Sequence, residues 1–178
     1  MSTATVPDLR DNTLTQEFER IFREQGRFIY RTAYGVTGST EDAQDILQTI
    51  FLRLWRRELP PSFWKNPKPY LYRAAVNLAL DIVRARKRRV FVRESECLEI
   101  PASAEKSIDG QIHERLYEAI AKLNPEAAEI VILRYLHNFS DAQIAKMLGT
   151  SRTTIAVRLF RVRARLKKLI RASLGGEP

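Results

Sequence analysis

The sequence has few of the residues that support redox or metal chemistry. Its 178 residues include one cysteine, Cys97, and two histidines, His113 and His137. A single thiol cannot form an intramolecular disulfide, and two separated histidines supply too few ligands for a metal ion. Asp42 and Asp45 lie three residues apart, but a metal pair needs more ligands than the surrounding sequence offers. We therefore expect no metal site, no cofactor and no catalytic residues.

Long apolar runs are missing as well. No stretch approaches the roughly 18 apolar residues that a membrane-spanning helix requires. Residues 1–16 have neither the basic nor the apolar segment of a signal peptide. Together with the lone cysteine, these absences lead us to expect a cytoplasmic protein that is not itself a membrane protein.

Strand-like alternation is nearly absent, and helical periodicity takes its place. One apolar stripe runs from Phe18 to Val36, behind a possible capping box formed by Thr13 and Gln16. A second helix is predicted over "EDAQDILQTIFLRLWRR", whose apolar residues through Trp55 follow the i, i+3, i+4 rule. The prolines of "ELPPSFWKNPKP" indicate a loop, and a third helix is predicted from Pro69 through "RARKRR".

An acidic stretch divides the chain. Residues 94–109 hold five acids and one lysine, with a proline and several small residues, which is typical of an extended linker. Helices resume near Leu116, and Asn124 followed by Pro125 predicts a helix start. The sequence thus predicts an all-α protein with two small helical domains joined by a flexible acidic linker. The predicted segments are an N-terminal tail 1–13, a first domain 14–93, the linker 94–110, a second domain 111–174 and a C-terminal tail 175–178.

Acidic residues are absent from the last part of the chain. Between Ala142 and Gly176 there are nine Lys or Arg residues and no Asp or Glu, in a protein whose net charge is +9. Ser140 and Gln143 form a capping box, Gly149 suits a left-handed helix end, and Ser151 can cap the next helix. Helix, glycine turn and helix are the signature of a helix-turn-helix, whose second helix enters the major groove of DNA.

The second helix of this motif separates apolar from cationic positions. Ile155, Leu159, Val162, Leu166 and Leu169 recur at intervals of four and three residues and form one apolar stripe. The front residues are predicted to contact base edges, and the later cations to contact phosphates. A merely solvated helix and a membrane-surface helix are the alternatives. The absence of acids argues against the first, and the capped turn argues against the second.

The N-terminal domain offers two further candidate surfaces. The third helix carries polar residues at helical spacing and ends in a cationic run, with Phe63 and Trp64 just before it. Aromatic side chains beside cations suit unpaired bases, although these aromatic residues could equally be anchors of the core. The second helix presents Asp42, Asp45, Gln48, Thr49 and Arg53 opposite its apolar stripe. That face suits either protein docking or ordinary solvent exposure.

Taken together, "EDAQDILQTIFLRLWRR", "PYLYRAAVNLALDIVRARKRR" and the helix-turn-helix from Phe139 to Leu166 resemble bacterial RNA polymerase sigma factors of the extracytoplasmic-function class. The resemblance implies a region 2 bundle that docks on core polymerase, a region 4 helix-turn-helix, and a linker along the RNA exit path. Segment 66–89 is especially similar to sigma factors of iron-siderophore uptake, which answer to a membrane-bound anti-sigma factor. Four positions depart from the family pattern: Thr49, Val76, Asn124 and Gln143. The departure at Thr49 affects the strength expected for docking on the clamp of the polymerase.

The resemblance also implies a role for individual residues. Docking on the β′ clamp of the polymerase is expected of Asp45, Gln48, Thr49 and Arg53. Reading and melting of the −10 promoter element is expected of Phe63, Trp64, Tyr70, Arg73, Asn77, Asp81, Arg84 and Arg88. Reading of the −35 element is expected of Ser151, Arg152, Thr153, Thr154, Arg158, Arg161 and Arg163, in a domain that also contacts the β flap.

The sequence therefore predicts a promoter-specificity subunit whose chemistry is supplied by core polymerase and whose DNA partner is a promoter. A free-standing helix-turn-helix regulator is the alternative. Such proteins normally dimerise to read paired half-sites, and no second interface for dimerisation is evident in the sequence. A nucleic-acid-processing enzyme is a third possibility, but it lacks a clustered set of carboxylate, His or Cys residues.

Overall fold

The computed structural model describes residues 9–56, 61–95 and 108–173, and every regular element in these ranges is a helix. The all-α prediction is therefore confirmed for this part of the chain. In none of these helices is an apolar stretch long enough to cross a bilayer. The predicted linker falls mostly on residues 96–107, which include Cys97 and lie outside the described ranges. Residues 1–8 and 175–178 of the predicted tails lie outside them as well, as does residue 174 of the predicted second domain. The helices are α1 Leu9–Thr37, α2 Thr40–Trp55, α3 Pro61–Lys65, α4 Lys68–Ser95, α5 Ile108–Ala121, α6 Pro125–Tyr135, α7 Asp141–Leu148 and α8 Arg152–Ser173.

The N-terminal domain, α1–α4, is a bundle in which the two long helices α1 and α4 pack against each other and against α2. Most of the buried side chains of α1 and α2 lie on the apolar stripes that helical periodicity predicts, because one stripe of each amphipathic helix must leave water, although Phe22 and Trp55 of the same stripes are exposed. Among the fully buried core residues are Ile21, Ile29, Leu54 and Leu71.

The corner between α1 and α2 is fixed by local chemistry. Gly38 has a φ of +67°, which a side chain would strain, and Ser39 caps α2 by accepting a hydrogen bond from the Asp42 amide at 3.2 Å. From α4, the Arg86 guanidinium donates to the Thr37 carbonyl at 2.8 Å and pairs with the Asp42 carboxylate. One side chain of α4 thus ties together the end of α1 and the first turn of α2.

Several boundaries differ from the sequence prediction. Helix α4 extends to Ser95 and α5 begins at Ile108, so both enter the predicted linker 94–110. Helix α1 begins at Leu9, so Thr13 and Gln16 lie inside it rather than at its start. The predicted proline-bounded loop contains the short helix α3, which carries Phe63 into the core. Proline is tolerated in a first helical turn, and burial of an aromatic ring stabilises the extra turn.

The C-terminal domain, α5–α8, packs α8 against α5, α6 and α7. The predicted start of α6 is confirmed: Asn124 accepts a hydrogen bond from the Ala127 amide at 2.9 Å, and Pro125 occupies the first helical position. The core includes Ile130, Ile144 and Leu159.

The two domains share one continuous core, which the sequence did not predict. Helix α4 contacts α5, α6 and α7, and the buried residues of both domains form a single apolar cluster. Tyr72 of α4 is fully buried in this cluster and donates its hydroxyl to the Glu129 carbonyl of α6 at 2.6 Å. His137 packs on the Phe28 ring, with 4.5 Å between ring centroids, and its Nε2 lies 2.9 Å from the Thr32 hydroxyl.

We predict that acid destabilises this junction through His137. Burial, with further contributions from Arg31 and Lys68, lowers its pKa from 6.5 to about 4. Between these values the unfolded chain binds a proton that the folded chain does not, so the free energy of unfolding falls as the pH drops from about 6.5 to 4. Urea titrations across this range should give a flatter pH dependence for His137→Gln than for the native chain. Burial raises the pKa of Glu129, which acts in the opposite direction but is common to both proteins. Equal slopes would contradict the prediction.

Candidate nucleic-acid interface

The helix-turn-helix is held by the capping interactions that the sequence predicts. The Ser140 hydroxyl accepts from the Gln143 amide at 3.3 Å, and the Gln143 side chain accepts from the Ser140 amide at 2.8 Å. Gly149 adopts the left-handed conformation, with φ 69° and ψ 38°. Ser151 then caps α8 by accepting from the Thr154 amide at 3.0 Å. These bonds fix the direction in which α8 leaves the turn.

Helix α8 buries its apolar stripe and exposes its cations, as predicted. Ile155, Leu159 and Val162 are buried against the other helices of the domain. The predicted −35 residues that are exposed are Ser151, Arg152, Thr153, Arg158, Arg161 and Arg163. Thr154 is half-buried, and its hydroxyl lies 2.8 Å from that of Ser151, so these two residues form the cap of the helix.

Two of the arginines on α8 are oriented by side chains of α6. Arg158 pairs with Glu126 at 3.0 Å. The Arg163 Nε donates to the Tyr135 hydroxyl at 2.6 Å, and its guanidinium lies 5.9 Å from the ring centroid. Exposed ion pairs contribute about 0–1 kcal/mol, so a phosphate can replace Glu126 as the partner of Arg158.

An exposed apolar patch on α8 was missed by the sequence interpretation. Phe160 is 75% exposed and Val157 is 45% exposed, and Ala156 beside them is exposed too. The sequence already indicated this patch, because Ala156, Val157 and Phe160 fall outside the buried apolar stripe of Ile155, Leu159 and Val162. Apolar side chains on a recognition helix can contact the methyl group of thymine in the major groove.

Helix α4 carries most of the predicted −10 residues on one side of the N-terminal domain. Asn77, Asp81 and Arg88 are exposed, and Arg84 is half-buried and pairs with Asp81 at 2.9 Å. The Arg73 Nε lies 3.3 Å from the Glu129 carboxylate of α6. The structure thus brings these residues onto one helix, with Arg73 and Arg84 engaged by the protein itself.

The predicted aromatic platform is partly internal. Phe63 is 4% exposed and makes edge contacts with Trp64 and Tyr70, at 5.3 and 5.4 Å between ring centroids. Trp64 is half-buried, with its ring 5.5 Å from that of Phe18. Tyr70 is 44% exposed and is the member of this group that most readily offers a ring face to a base. In this conformation Phe63 belongs to the core.

The polar face of α2 lies beside an apolar groove. Asp45, Gln48 and Arg53 are exposed, and Thr49 is half-buried. The groove between α1 and α2 has a volume of about 690 Å³. Its aromatic lining includes Phe18, Phe22, Tyr30, Phe51 and Trp55. The sequence interpretation counted Phe22 and Trp55 as core, but they are 50% and 60% exposed because no helix of the described ranges covers this side.

No three His, Cys, Asp or Glu side chains converge as a metal site anywhere in the described ranges. What the described surface offers instead is a cationic recognition helix, a mixed polar helix face and an aromatic groove. These are surfaces for macromolecules.

Both halves of the chain match models of one family. Residues 21–89 match the model described as "Sigma-70 region 2", and residues 113–166 match "Sigma-70, region 4". The first match covers much of α1 through α4, and the second covers most of α5 through α8, with the helix-turn-helix.

Individual relatives agree with these matches. The chain is 31% identical over 153 residues to an RNA polymerase sigma-E factor of Streptomyces antibioticus, covering 85% of this chain and 83% of that protein. It is 27% identical over 172 residues to the ECF RNA polymerase sigma factor SigE of Mycolicibacterium smegmatis, covering 93% of this chain and 66% of that protein. The fold is similar to that of CnrH, solved in complex with the cytosolic domain of CnrY, with a TM-score of 0.51, 20% identity, and coverage of 87% and 88% of the two chains.

Proposed function

Because the chain belongs to the sigma-70 family of RNA polymerase sigma factors, within the extracytoplasmic-function class, we propose that it binds core polymerase and directs promoter-specific initiation. The observation that carries this proposal is the capped helix-turn-helix with an exposed arginine face inside the region 4 segment. Duplex DNA meets α8 in the major groove, while the α4 surface takes up unpaired bases of the −10 element. The chemistry of RNA synthesis belongs to the polymerase.

Reconstitution tests this proposal. The purified chain is added to bacterial core polymerase, and transcription is run on genomic fragments with core polymerase alone as the control. We expect promoter-dependent transcripts and a stable complex with core polymerase. If the chain forms no such complex and instead binds palindromic duplex sites as a dimer, it is a free-standing regulator rather than a sigma factor.

Docking on core polymerase is proposed for the polar face of α2, through Asp45, Gln48, Thr49 and Arg53. The support is their alignment along one helix, three of them exposed, next to a groove whose aromatic rings are open to solvent. Charge reversal at Asp45 should weaken the complex with core polymerase in a pull-down. The same change should leave duplex DNA binding by α8 unchanged. We propose a cytoplasmic location, since core polymerase is the partner.

Regulation by a membrane-bound anti-sigma factor is a further part of the proposal, as is control of iron-siderophore uptake genes. Both rest on the resemblance of residues 66–89 to that subgroup. The open groove between α1 and α2 is compatible with a protein partner of this kind. Promoter mapping of the transcripts would test the assignment, which fails if none of the promoters precedes genes of iron acquisition.

We predict that Phe160 reads a thymine methyl group in the −35 element. A buried methyl group contributes about 0.8 kcal/mol, or roughly fourfold in affinity. Replacing the contacted thymine by deoxyuridine should therefore lower the affinity of the native chain for the duplex about fourfold. The Phe160→Ala variant should bind the thymine duplex and the deoxyuridine duplex equally. Ile112→Ala, another exposed apolar residue, is the control. If Phe160→Ala still distinguishes thymine from deoxyuridine as the native chain does, Phe160 is not the reader.

A further inference from the structure

Two cations and two aromatic rings share one side of α1, away from the core. Arg23, Arg27, Tyr30 and Tyr34 follow one another at intervals of four, three and four residues, which places them on a single side of the helix. Thr32, on the opposite side, is buried. Both arginines are exposed to solvent. We call these four residues the α1 stripe.

The two arginines of the stripe have no anionic partner in the part of the chain that the structure describes. The nearby acids Glu17 and Glu24 are both engaged by Arg20, at 2.8 and 3.1 Å. Glu19 is exposed one turn before Arg23, and no ion pair joins the two. Exposed guanidinium groups without a counter-charge attract anions. The stripe therefore offers two cations to an anionic partner.

The two tyrosines of the stripe hold their rings as a parallel pair. The ring planes differ by 5°, and the ring centroids lie 6.2 Å apart. Tyr34 is 47% exposed, and Tyr30 is half-buried at the edge of the groove between α1 and α2. An exposed aromatic ring stacks on an unpaired base whatever the base, because every base has a π-face. In duplex DNA the bases already stack on one another, so these rings favour a single strand.

The length and position of the stripe suit a short single strand. From Arg23 to Tyr34 the helix rises about 16 Å at 1.5 Å per residue, which matches about five nucleotides at a rise of about 3.4 Å each. At the tyrosine end, the Tyr34 carbonyl accepts from the Gly38 amide at 2.8 Å, and Arg86 of α4 bonds the Thr37 carbonyl. The stripe therefore adjoins the cationic end of α4.

We infer that the α1 stripe is a binding site for unpaired DNA of any sequence, separate from the −10 and −35 residues. Arg23 and Arg27 contact phosphates, and Tyr30 and Tyr34 stack on bases. An acidic peptide fits less well, because carboxylates would pair with the arginines but leave the parallel rings without planar partners. The source of the strand, an opened promoter, rests on the proposed function, whereas the affinity of the stripe for unpaired DNA does not.

Photochemical cross-linking locates the site directly. The full-length chain is irradiated with a single-stranded thymidine dodecamer that carries one 5-iododeoxyuridine, and the cross-linked peptides are identified by mass spectrometry. Excess unlabelled duplex DNA occupies the cations of α8. We expect adducts on Tyr30 or Tyr34, and none on these residues when the labelled dodecamer is itself a duplex. Adducts that fall only outside the stripe would overturn the inference.

Affinity measurements divide the site into its cations and its rings. Replacing Arg23 and Arg27 by glutamine should reduce the slope of log K against log salt by about 1.4 for the single strand, because each phosphate contact contributes about 0.7. Replacing both by lysine keeps the charge and should keep the slope. Tyr34→Leu should lower the affinity for the dodecamer about tenfold, whereas Tyr34→Phe, which keeps the ring, should bind as the native chain does. An unchanged slope, or equal affinity of the Leu and Phe variants, contradicts the assignment.

Transcription with core polymerase separates this inference from the proposed function. Binding of unpaired DNA that depends on the stripe, in a chain that supports no promoter-dependent transcript, supports the stripe and rejects only the sigma function. Promoter-dependent transcripts from a chain whose stripe never cross-links to the dodecamer reject only the stripe. If the stripe variants bind the dodecamer normally but lose the complex with core polymerase, the stripe is a protein-docking surface and the inference is wrong.

Discussion

Replacing Arg161, Arg163 and Arg165 of α8 by glutamine is expected to lower duplex DNA affinity about 10²-fold at 0.15 M salt, whatever the sequence of the duplex. Each phosphate contact contributes about 0.9 to the slope of log K against log salt, so three lost contacts reduce the slope by about 2.7. All three side chains are exposed on the recognition helix. Fluorescence anisotropy between about 0.05 and 0.3 M salt measures the slope directly.

The three arginines need not contribute equally, and the structure suggests how to divide them. Arg163 is held by Tyr135 of α6, whereas Arg161 and Arg165 lie along the opposite side of α8, near Asn124 and Glu126. The double variant at Arg161 and Arg165 should lose about two contacts, and the single variant at Arg163 about one. The matched control replaces all three by lysine, which keeps the charge and should keep the slope. An unchanged slope in the glutamine triple variant would show that these residues do not contact phosphates.

Tyr72→Ala is expected to lower the free energy of unfolding by about 3–5 kcal/mol, the usual cost of removing a buried aromatic ring. The ring is fully buried at the junction of the domains, 5.9 Å from the Phe28 ring and 6.2 Å from the ring of His137. Because the core is continuous across the junction, we expect both domains to lose stability together, in one urea transition followed by circular dichroism and by tryptophan fluorescence.

Tyr72→Phe is the matched control for that experiment. It keeps the ring and removes only the hydrogen bond to the Glu129 carbonyl, at a cost of about 1 kcal/mol. Separate transitions for the two domains, with the C-terminal one unaffected by Tyr72→Ala, would contradict a shared core.

The features predicted correctly from the sequence are those that depend on neighbours in the chain. The capping box of Ser140 and Gln143, the caps at Asn124 and Ser151, and the left-handed Gly149 each involve bonds spanning a few residues. The apolar stripe of α8 follows the period of the helix in the same local way. Sequence reasoning therefore located the helix-turn-helix and its exposed face without tertiary information.

The features that were missed depend on packing between distant segments. Phe63 and Trp55 are both aromatic residues near a helix end, yet one is buried and the other is largely exposed. That difference depends on which helices lie above each ring, which a local pattern does not contain. For the same reason the sequence shows Val76 only as one more apolar residue of α4. In the structure it lies between Arg73 and Arg84, which bond the other domain. The contact between the two domains therefore could not be predicted from any local sequence pattern.

The bonds of Arg86 to Thr37 and Asp42 change how strongly the cationic end of α4 can attract DNA. Counted from the sequence, "RARKRR" contributes five positive charges. In the folded chain, Arg86 is neutralised at the α1–α2 corner, Lys87 by Glu118, and Arg84 by Asp81. Among the five cations of this run, Arg88 and Arg89 are therefore the ones left to attract a polyanion over a distance. The arginines and lysines of α8 supply the larger share of that attraction.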